Sequence, residues 1–149
     1  MFGYNGDALL YPETKPRSVL FTLPEPTPLL NVLMRKHYRV RSQNKRRTAA
    51  AIAAEIAGKK PPGPFLKARV TITRYSCGVP DDDGLKGGVK DLLDCLTTPK
   101  LLAGGKIKNK FGVGLIVDDS PQHCLLVVNG VKCKRAEQRT EVLVEEVVT

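Results

Sequence analysis

The chain has 149 residues, of which 42% are hydrophobic and 26% are charged, and its formal net charge is +9. This length predicts one domain with its own core, and the positive charge predicts a polyanionic partner, for which nucleic acid is the default candidate. No apolar stretch approaches the length of a membrane span, and no signal region is visible, so we expect a cytoplasmic protein with no membrane partner.

The four cysteines do not follow a zinc-binding pattern. Cys77, Cys95, Cys124 and Cys133 include no CxxC pair, which argues against structural zinc. His123 lies beside Cys124, but the alternation of apolar residues that follows is typical of a strand. We therefore expect reduced, partly buried thiols.

Periodicity and turn residues divide the chain into a flexible arm, residues 1–17, and one domain, residues 18–149. Strands are predicted at 18–23, 65–75, 111–117, 123–128 and 140–148, with Asn129-Gly130 as a turn. Helices are predicted at 48–57 and 85–96, and residues 97–110 are predicted to be a mobile basic loop. These elements predict an α+β fold, a mixed β-sheet with two main helices.

The segment from Asn31 to Arg47 contains seven basic residues and no acid. A solvated helix face usually mixes both signs, so contact with nucleic-acid phosphates is favoured over the solvated face. We expect these basic residues at or before the amino end of helix 48–57. The expected DNA-binding residues, including the lysines of the 97–110 loop, are Asn31, Arg35, Lys36, Arg39, Arg41, Lys45, Arg46, Arg47, Lys106, Lys108 and Lys110.

Aspartates are concentrated between positions 81 and 119. Asp81, Asp82 and Asp83 follow a predicted strand, and in an extended backbone Asp81 and Asp83 would point to the same side. Asp118 and Asp119 follow another predicted strand. Such carboxylates suit Mg²⁺ beside a phosphate, but aspartates are also common at helix N-caps, so both interpretations are open.

Residues 85–96 have the apolar spacing of an amphipathic helix. Lys90 and Asp94 are four residues apart and are expected to form a pair, whereas Asp91 is expected to face solvent. Gly87-Gly88 weakens the helix, which indicates either a tight backbone approach or loose packing.

These groups together have the composition of a metal-dependent phosphodiesterase site. Asp81, Asp83 and Asp119 would hold Mg²⁺, with Mn²⁺ as a substitute and Asp118 as an alternate ligand. Lys90 would stabilise the negative charge of the transition state. Asp94 would support the metal site without binding the metal itself.

The motifs resemble those of the RusA family of Holliday-junction resolvases. The family pattern of an aspartate motif, a lysine-aspartate helix and an aspartate pair appears as Asp81-Asp82-Asp83-Gly84-Leu85, then Lys90-Asp91-Leu92-Leu93-Asp94-Cys95-Leu96, then Asp118-Asp119. The opening strand is also similar, in Leu20 to Pro24 followed by Pro26, Pro28 and Asn31.

The resemblance implies a RusA-like fold and a homodimeric, Mg²⁺-dependent endonuclease that resolves four-way DNA junctions by paired symmetric nicks, in DNA recombination, DNA repair or the processing of phage DNA. The family's lysine role falls on Lys90, with Lys86 as second choice, and Gly84 stands where the family usually has asparagine. The alternative is a basic nucleic-acid-binding protein that keeps the fold without catalysis, and Gly84 favours it.

Overall fold

The computed structural model describes residues 17–148. The predicted arm therefore lies outside the described residues except for Arg17, which donates to the Glu146 carboxylate at 2.8 Å. No helix in the part of the chain that the structure describes is long and apolar enough to cross a membrane.

The described chain has six strands and four α-helices. Its strands are β1 (Ser18–Leu23), β2 (Ala68–Ser76), β3 (Lys100–Leu101), β4 (Ile107–Lys108), β5 (Cys124–Lys132) and β6 (Arg139–Glu146). Its helices are α1 (Leu30–Arg35), α2 (Tyr38–Ile56), α3 (Asp82–Gly88) and α4 (Lys90–Leu96), with one 3₁₀ turn at Arg135–Glu137.

Four strands form one mixed sheet in the order β1-β6-β2-β5. β6 runs antiparallel to both β1 and β2, whereas β2 and β5 are parallel over nine residues. The predicted α+β class and mixed sheet are therefore confirmed.

One face of the sheet carries the core. Alternate residues of β2 and β6, including Val70, Ile72, Val142 and Val144, are fully buried, and their neighbours in sequence are partly or fully exposed. The buried side chains pack against α2 and α4, which lie on this same face. An antiparallel or mixed sheet with one solvated face shows this alternation.

Several predicted elements differ from the structure. The helix predicted at 48–57 is present but begins at Tyr38, so the basic residues Arg39, Arg41 and 45–47 lie within α2, and only Arg35 and Lys36 precede it. Asn129-Gly130 lies inside β5 and is not a turn, because β5 pairs with β2 as far as Lys132. Residues 97–110, predicted as a mobile basic loop, contain the β3–β4 hairpin.

The predicted strand at 111–117 is also absent, apart from one bridge between Phe65 and Ile116. The backbone N–H groups of this segment instead donate to the carboxyl end of α4, Val113 to Cys95 and Gly114 to Thr97. Gly114 has φ +78°, which interrupts an extended strand.

The helix predicted at 85–96 is two helices, α3 and α4, separated at Val89. The loose-packing interpretation of Gly87-Gly88 is wrong at Gly88, because a Cβ there would overlap the Pro28 carbonyl oxygen. The close approach packs Pro28 against the end of α3.

Candidate functional site

Two ion-paired aspartates join α4 to the basic helix α2. The Arg41 guanidinium donates to both Asp91 carboxylate oxygens, at 2.7 and 3.1 Å. One turn further along α2, Lys45 Nζ donates to Asp94 Oδ2 at 3.0 Å. Residues four apart on α2 thus meet residues three apart on α4, which is the spacing of one helix face.

These pairs correct two predictions. Asp91 does not face solvent, because its side chain is 14% exposed and bound by Arg41. Asp94 pairs with Lys45 and not with Lys90, whose side chain is exposed. The reason is burial: Asp94 is only 9% exposed, at the surface where α4 packs on α2.

Lys45 remains charged in this position. Burial lowers its pKa, but the hydrogen bond and charge of Asp94 and the charge of Asp91 outweigh burial and raise the pKa above its ordinary value. The hydrogen bond from Arg41 to Asp91 likewise raises the pKa of the guanidinium. Both cations are therefore permanent at neutral pH.

Beside these pairs lies a basic cleft of about 800 Å³ between α2, α4 and residues 105–112. Its cations come from three separate segments, Arg41 and Lys45 of α2, Lys90 of α4, and Lys106 and Lys110 of the hairpin region. Among the described residues, Asp94 is the one acid in its lining, and Tyr38, which is 69% exposed, lies at its rim. The fold thus brings together two stretches that the sequence analysis assigned separately to DNA.

The adjacent Asp118 and Asp119 lie just before β5. Asp119 N–H donates to Asp118 Oδ1 at 2.8 Å, and Lys108 Nζ lies 4.0 Å from the same oxygen. The hydrogen bond from the Asp119 N–H and the charge of Lys108 lower the pKa of Asp118. Burial, then the Asp118 carboxylate and Asp94, raise the pKa of Asp119. The surroundings therefore stabilise the ionised form of Asp118 and destabilise the ionised form of Asp119.

The structure gives Asp81 the role of a helix cap. Asp81 Oδ1 accepts the Gly84 N–H at 3.1 Å, and α3 begins at the next residue. The backbone is therefore helical at Asp83, and the expected extended pair of ligands does not form. Asp82 and Asp83 are exposed in the first turn, where carboxylates favour the helix dipole.

The two groups of aspartates lie at opposite ends of the parallel β2–β5 pair. Val79 packs near Gly130, towards the carboxyl end of β5, whereas Ser120 O accepts the N–H of Cys124 at the amino end. Six residues at about 3.3 Å each separate these points by roughly 20 Å. Asp81 and Asp83 are therefore not brought to Asp118 and Asp119.

No three carboxylate, imidazole or thiolate groups within residues 17–148 lie close enough together to hold a metal ion. The predicted set of four ligands is thus not assembled. The Asp118–Asp119 pair does have the donors for one Mg²⁺, because this ion is often bound by one or two carboxylates and completed by water and substrate phosphate.

The remaining predicted residues are spread over the surface. Lys36 and Arg47 line a second cleft, of about 400 Å³, which shares Arg41 and Lys45 with the first. The others are exposed and outside the basic cleft: Asn31, Arg35, Arg39, Arg46, Lys86 and Lys108.

Sequence reasoning missed Tyr38 and the role of Asp91. A signal for Asp91 was present, because Arg41 and Lys45 lie four residues apart in a stretch without acids, and Asp91 and Asp94 lie three residues apart on one face of the predicted helix. Tyr38 had no such signal, because nothing in its spacing showed that residues 105–112 fold against α2.

Comparison with known proteins adds no assignment: no protein-family model, curated protein or solved structure matches this chain.

Proposed function

We propose that this chain is a Mg²⁺-dependent endonuclease that binds branched DNA in the basic cleft and, as a homodimer, resolves four-way junctions by paired nicks. The observation that supports DNA binding is the cleft itself, where five cations from three segments surround one acid. The nuclease activity and the junction follow from the resemblance to RusA resolvases.

The cleft suits a DNA backbone in shape and charge. Each cation placed near a phosphate releases condensed counterions, which is the main source of affinity in sequence-independent binding. Asp91 and Asp94 hold Arg41 and Lys45 in fixed positions but leave both side chains partly exposed, at 32% and 28%. Tyr38 offers an aromatic face on which a displaced base can stack.

In this proposal the carboxylates of Asp118 and Asp119 hold the metal. Bound there, Mg²⁺ would polarise a phosphoryl oxygen and activate water. Asp94 adds negative charge near the Asp118–Asp119 pair, since its charge raises the pKa of Asp119. Lys90, exposed at the cleft, is placed to neutralise charge on a phosphate.

The second candidate is DNA binding without cleavage, and a specific observation favours it. Asp81 is satisfied as a helix cap and lies far from Asp118 and Asp119, so the carboxylates that the family motif would place together are separated. The two candidates share the cleft and differ only in catalysis.

A labelled four-way junction separates the two candidates. We expect paired nicks in Mg²⁺ and none in EDTA, and we expect Asp119→Asn to abolish nicking while junction binding is retained. Asp82→Asn, which removes an exposed carboxylate elsewhere, is the matched control and should cut normally. Binding without cleavage in Mg²⁺ and in Mn²⁺ would contradict the nuclease and leave the second candidate.

The same assay with Asp83→Asn tests whether Asp83 is a metal ligand. The resemblance implies that Asp83 is a ligand, whereas the structure places it in the exposed first turn of α3. We expect Asp83→Asn to retain most activity. Loss of cleavage in both the Asp83 and Asp119 variants would show that catalysis needs Asp83 as well, as the resemblance implies.

The cleft is tested through the salt dependence of binding. Replacing Lys106 and Lys110 by alanine should reduce the slope of log affinity against log salt by about 0.9 for each lost phosphate contact. Arg135→Ala, which removes an exposed cation outside the cleft, should leave the slope unchanged. Equal slopes for wild type, the Lys106/Lys110 variant and Arg135→Ala would show that DNA does not bind in the cleft.

A further inference from the structure

β5 forms an open edge of the sheet. Among residues 17–148 it pairs with β2 alone, so no neighbouring strand lies on its other side. Ala68 N–H donates to His123 O, and Cys133 N–H donates to Ser76 O, so the odd-numbered residues of this strand bond to β2. The even-numbered residues from Leu126 to Lys132 therefore direct both N–H and C=O away from the sheet.

Within residues 17–148, only the N–H of Cys124 on this outer side has a backbone partner, Ser120 O. The next even-numbered residues, through Lys132, leave a row of alternating donors and acceptors. Such a row is a template for pairing with another strand.

The side chains of β5 do not protect this edge. Leu125, Leu126, Val127 and Val131 are 44%, 40%, 39% and 39% exposed, so apolar surface is present on both faces of the strand. Lys132, the last residue, is the one charge in the strand. Solvent-exposed edges usually carry charges, prolines or bulges that prevent pairing, and β5 has none of these in its first eight residues.

The opposite edge of the sheet is different. β1 has six residues, and Lys59 Nζ donates to its Leu20 carbonyl at 2.9 Å. A lysine side chain therefore occupies part of that edge, which leaves β5 as the longer and more accessible of the two.

We propose that β5 pairs antiparallel with β5 of a second copy, which joins the two four-stranded sheets into one sheet of eight strands. Pairing centred on Val128 uses the whole strand and places Leu125 opposite Val131. Each copy supplies the same outward donors and acceptors, and Lys132 faces Cys124, so no like charges oppose each other in the seam. This inference rests on the proposed homodimer and names its interface.

The symmetry of this seam orients both basic clefts. The two-fold axis between antiparallel neighbouring strands is perpendicular to the sheet, so both copies present the same face to the same side. Because α2 and α4 cover one face, both clefts open on one side of the dimer. A two-fold pair of cation-lined clefts on one face suits a four-way junction, which has matching symmetry.

The seam is tested by sedimentation of the protein without DNA, in 0.5 M salt to screen the net positive charge. We expect wild type to sediment at twice the monomer mass. The double variant Leu125→Lys/Val127→Lys should weaken dimerisation at least about tenfold, because it places four lysines in one short seam. Leu20→Lys, which adds a lysine at an exposed leucine of the opposite edge strand, is the control and should remain dimeric.

Leu126→Pro gives an independent variant if the lysines prevent folding. It removes an outward N–H that β2 does not use, and it should also yield monomers. Monomeric wild type at all concentrations, or unchanged dimerisation of both β5 variants, would overturn the seam. Monomeric wild type that still nicks junctions contradicts the seam and the homodimer but not the nuclease, whereas a β5-dependent dimer without nuclease activity contradicts only the nuclease.

Discussion

The two ends of the α3–α4 segment carry the same residue type in opposite environments. Asp81, Asp82 and Asp83 are exposed at its amino end, where Asp81 caps α3. Asp91 and Asp94 are largely buried at its carboxyl end and paired with Arg41 and Lys45. An acidic residue therefore takes its role from the element that packs against it, and α2 packs against only one of these ends.

The difference is also energetic. An exposed N-cap carboxylate contributes about 1 kcal/mol. A buried carboxylate has lost its hydration, and its partner has lost part of its own, so removal of either leaves an uncompensated charge. Asp81 and Asp83, the metal ligands expected from the sequence, lie at the amino end, whereas the contacts that hold the basic cleft together lie at the carboxyl end.

The largest expected effect is at Asp94. Asp94→Asn removes the charge opposite Lys45 and should lower the free energy of unfolding by about 2 kcal/mol, less than for a fully buried pair because Lys45 is partly exposed. Urea unfolding measures the change. Asp82→Asn is the matched control at the other end, with an expected change within about 0.5 kcal/mol.

A second substitution shows whether the charge is the cause. In Asp94→Asn/Lys45→Met the unpaired charge is gone, so part of the lost stability should return. If the double variant loses as much free energy of unfolding as Asp94→Asn and Lys45→Met lose together, the two side chains do not interact. The carboxyl end would then not be stabilised by this ion pair.

A smaller effect is expected at Asp81. Asp81→Ala should lower the free energy of unfolding by about 1 kcal/mol, because the Gly84 N–H loses its acceptor, whereas Asp81→Ser should retain most of the stability. Thermal unfolding with and without Mg²⁺ extends the test. We expect the same Mg²⁺ response for wild type and Asp81→Ala. A stabilisation by Mg²⁺ that depends on Asp81 would show that this end binds metal.

Much of the fold was predictable because its signals are local. The alternation of Val142 and Val144 with Glu141, Leu143 and Glu145 identified β6, and β1 and β2 were identified from their own apolar patterns. The segment at 111–117 has similar composition but binds the end of α4, and no local pattern reveals that choice. Asn129-Gly130 forms turns in hairpins, but the pairing with β2 keeps it extended.

The site was less predictable, because it depends on which segments meet. The basic character of residues 31–47 and 97–110 is a property of composition, and the meeting of Arg41, Lys45, Lys106 and Lys110 in one cleft is a property of packing. The helical spacing from Lys90 to Asp94 is compatible with an ion pair, but Asp94 lies towards α2 and Lys90 towards solvent. Spacing along one helix cannot show which face another helix covers.

The smallest expected effect is on the reactivity of two cysteines, one near each end of the α3–α4 segment. Cys77 is exposed before the Asp81 cap, whereas Cys95 is buried beside Asp94, and its Sγ lies 3.4 Å from the Lys45 carbonyl oxygen. Burial raises the pKa of Cys95 to about 12, with a smaller contribution from Asp94.

At pH 8 a thiol reagent should therefore modify Cys77 rapidly and Cys95 only on unfolding, since the thiolate is the reactive form. Mass spectrometry of peptides after short labelling measures the two sites separately.

Cys124, whose pKa burial raises to about 11, is the matched control for a buried thiol away from α2. In Asp94→Asn we expect Cys95 to label faster while Cys124 does not, because the loss of the Lys45 pair opens the contact between α2 and α4. Equal labelling of both buried thiols would mean that the whole core opens at once, and that the carboxyl end of the segment is not held locally by its ion pairs.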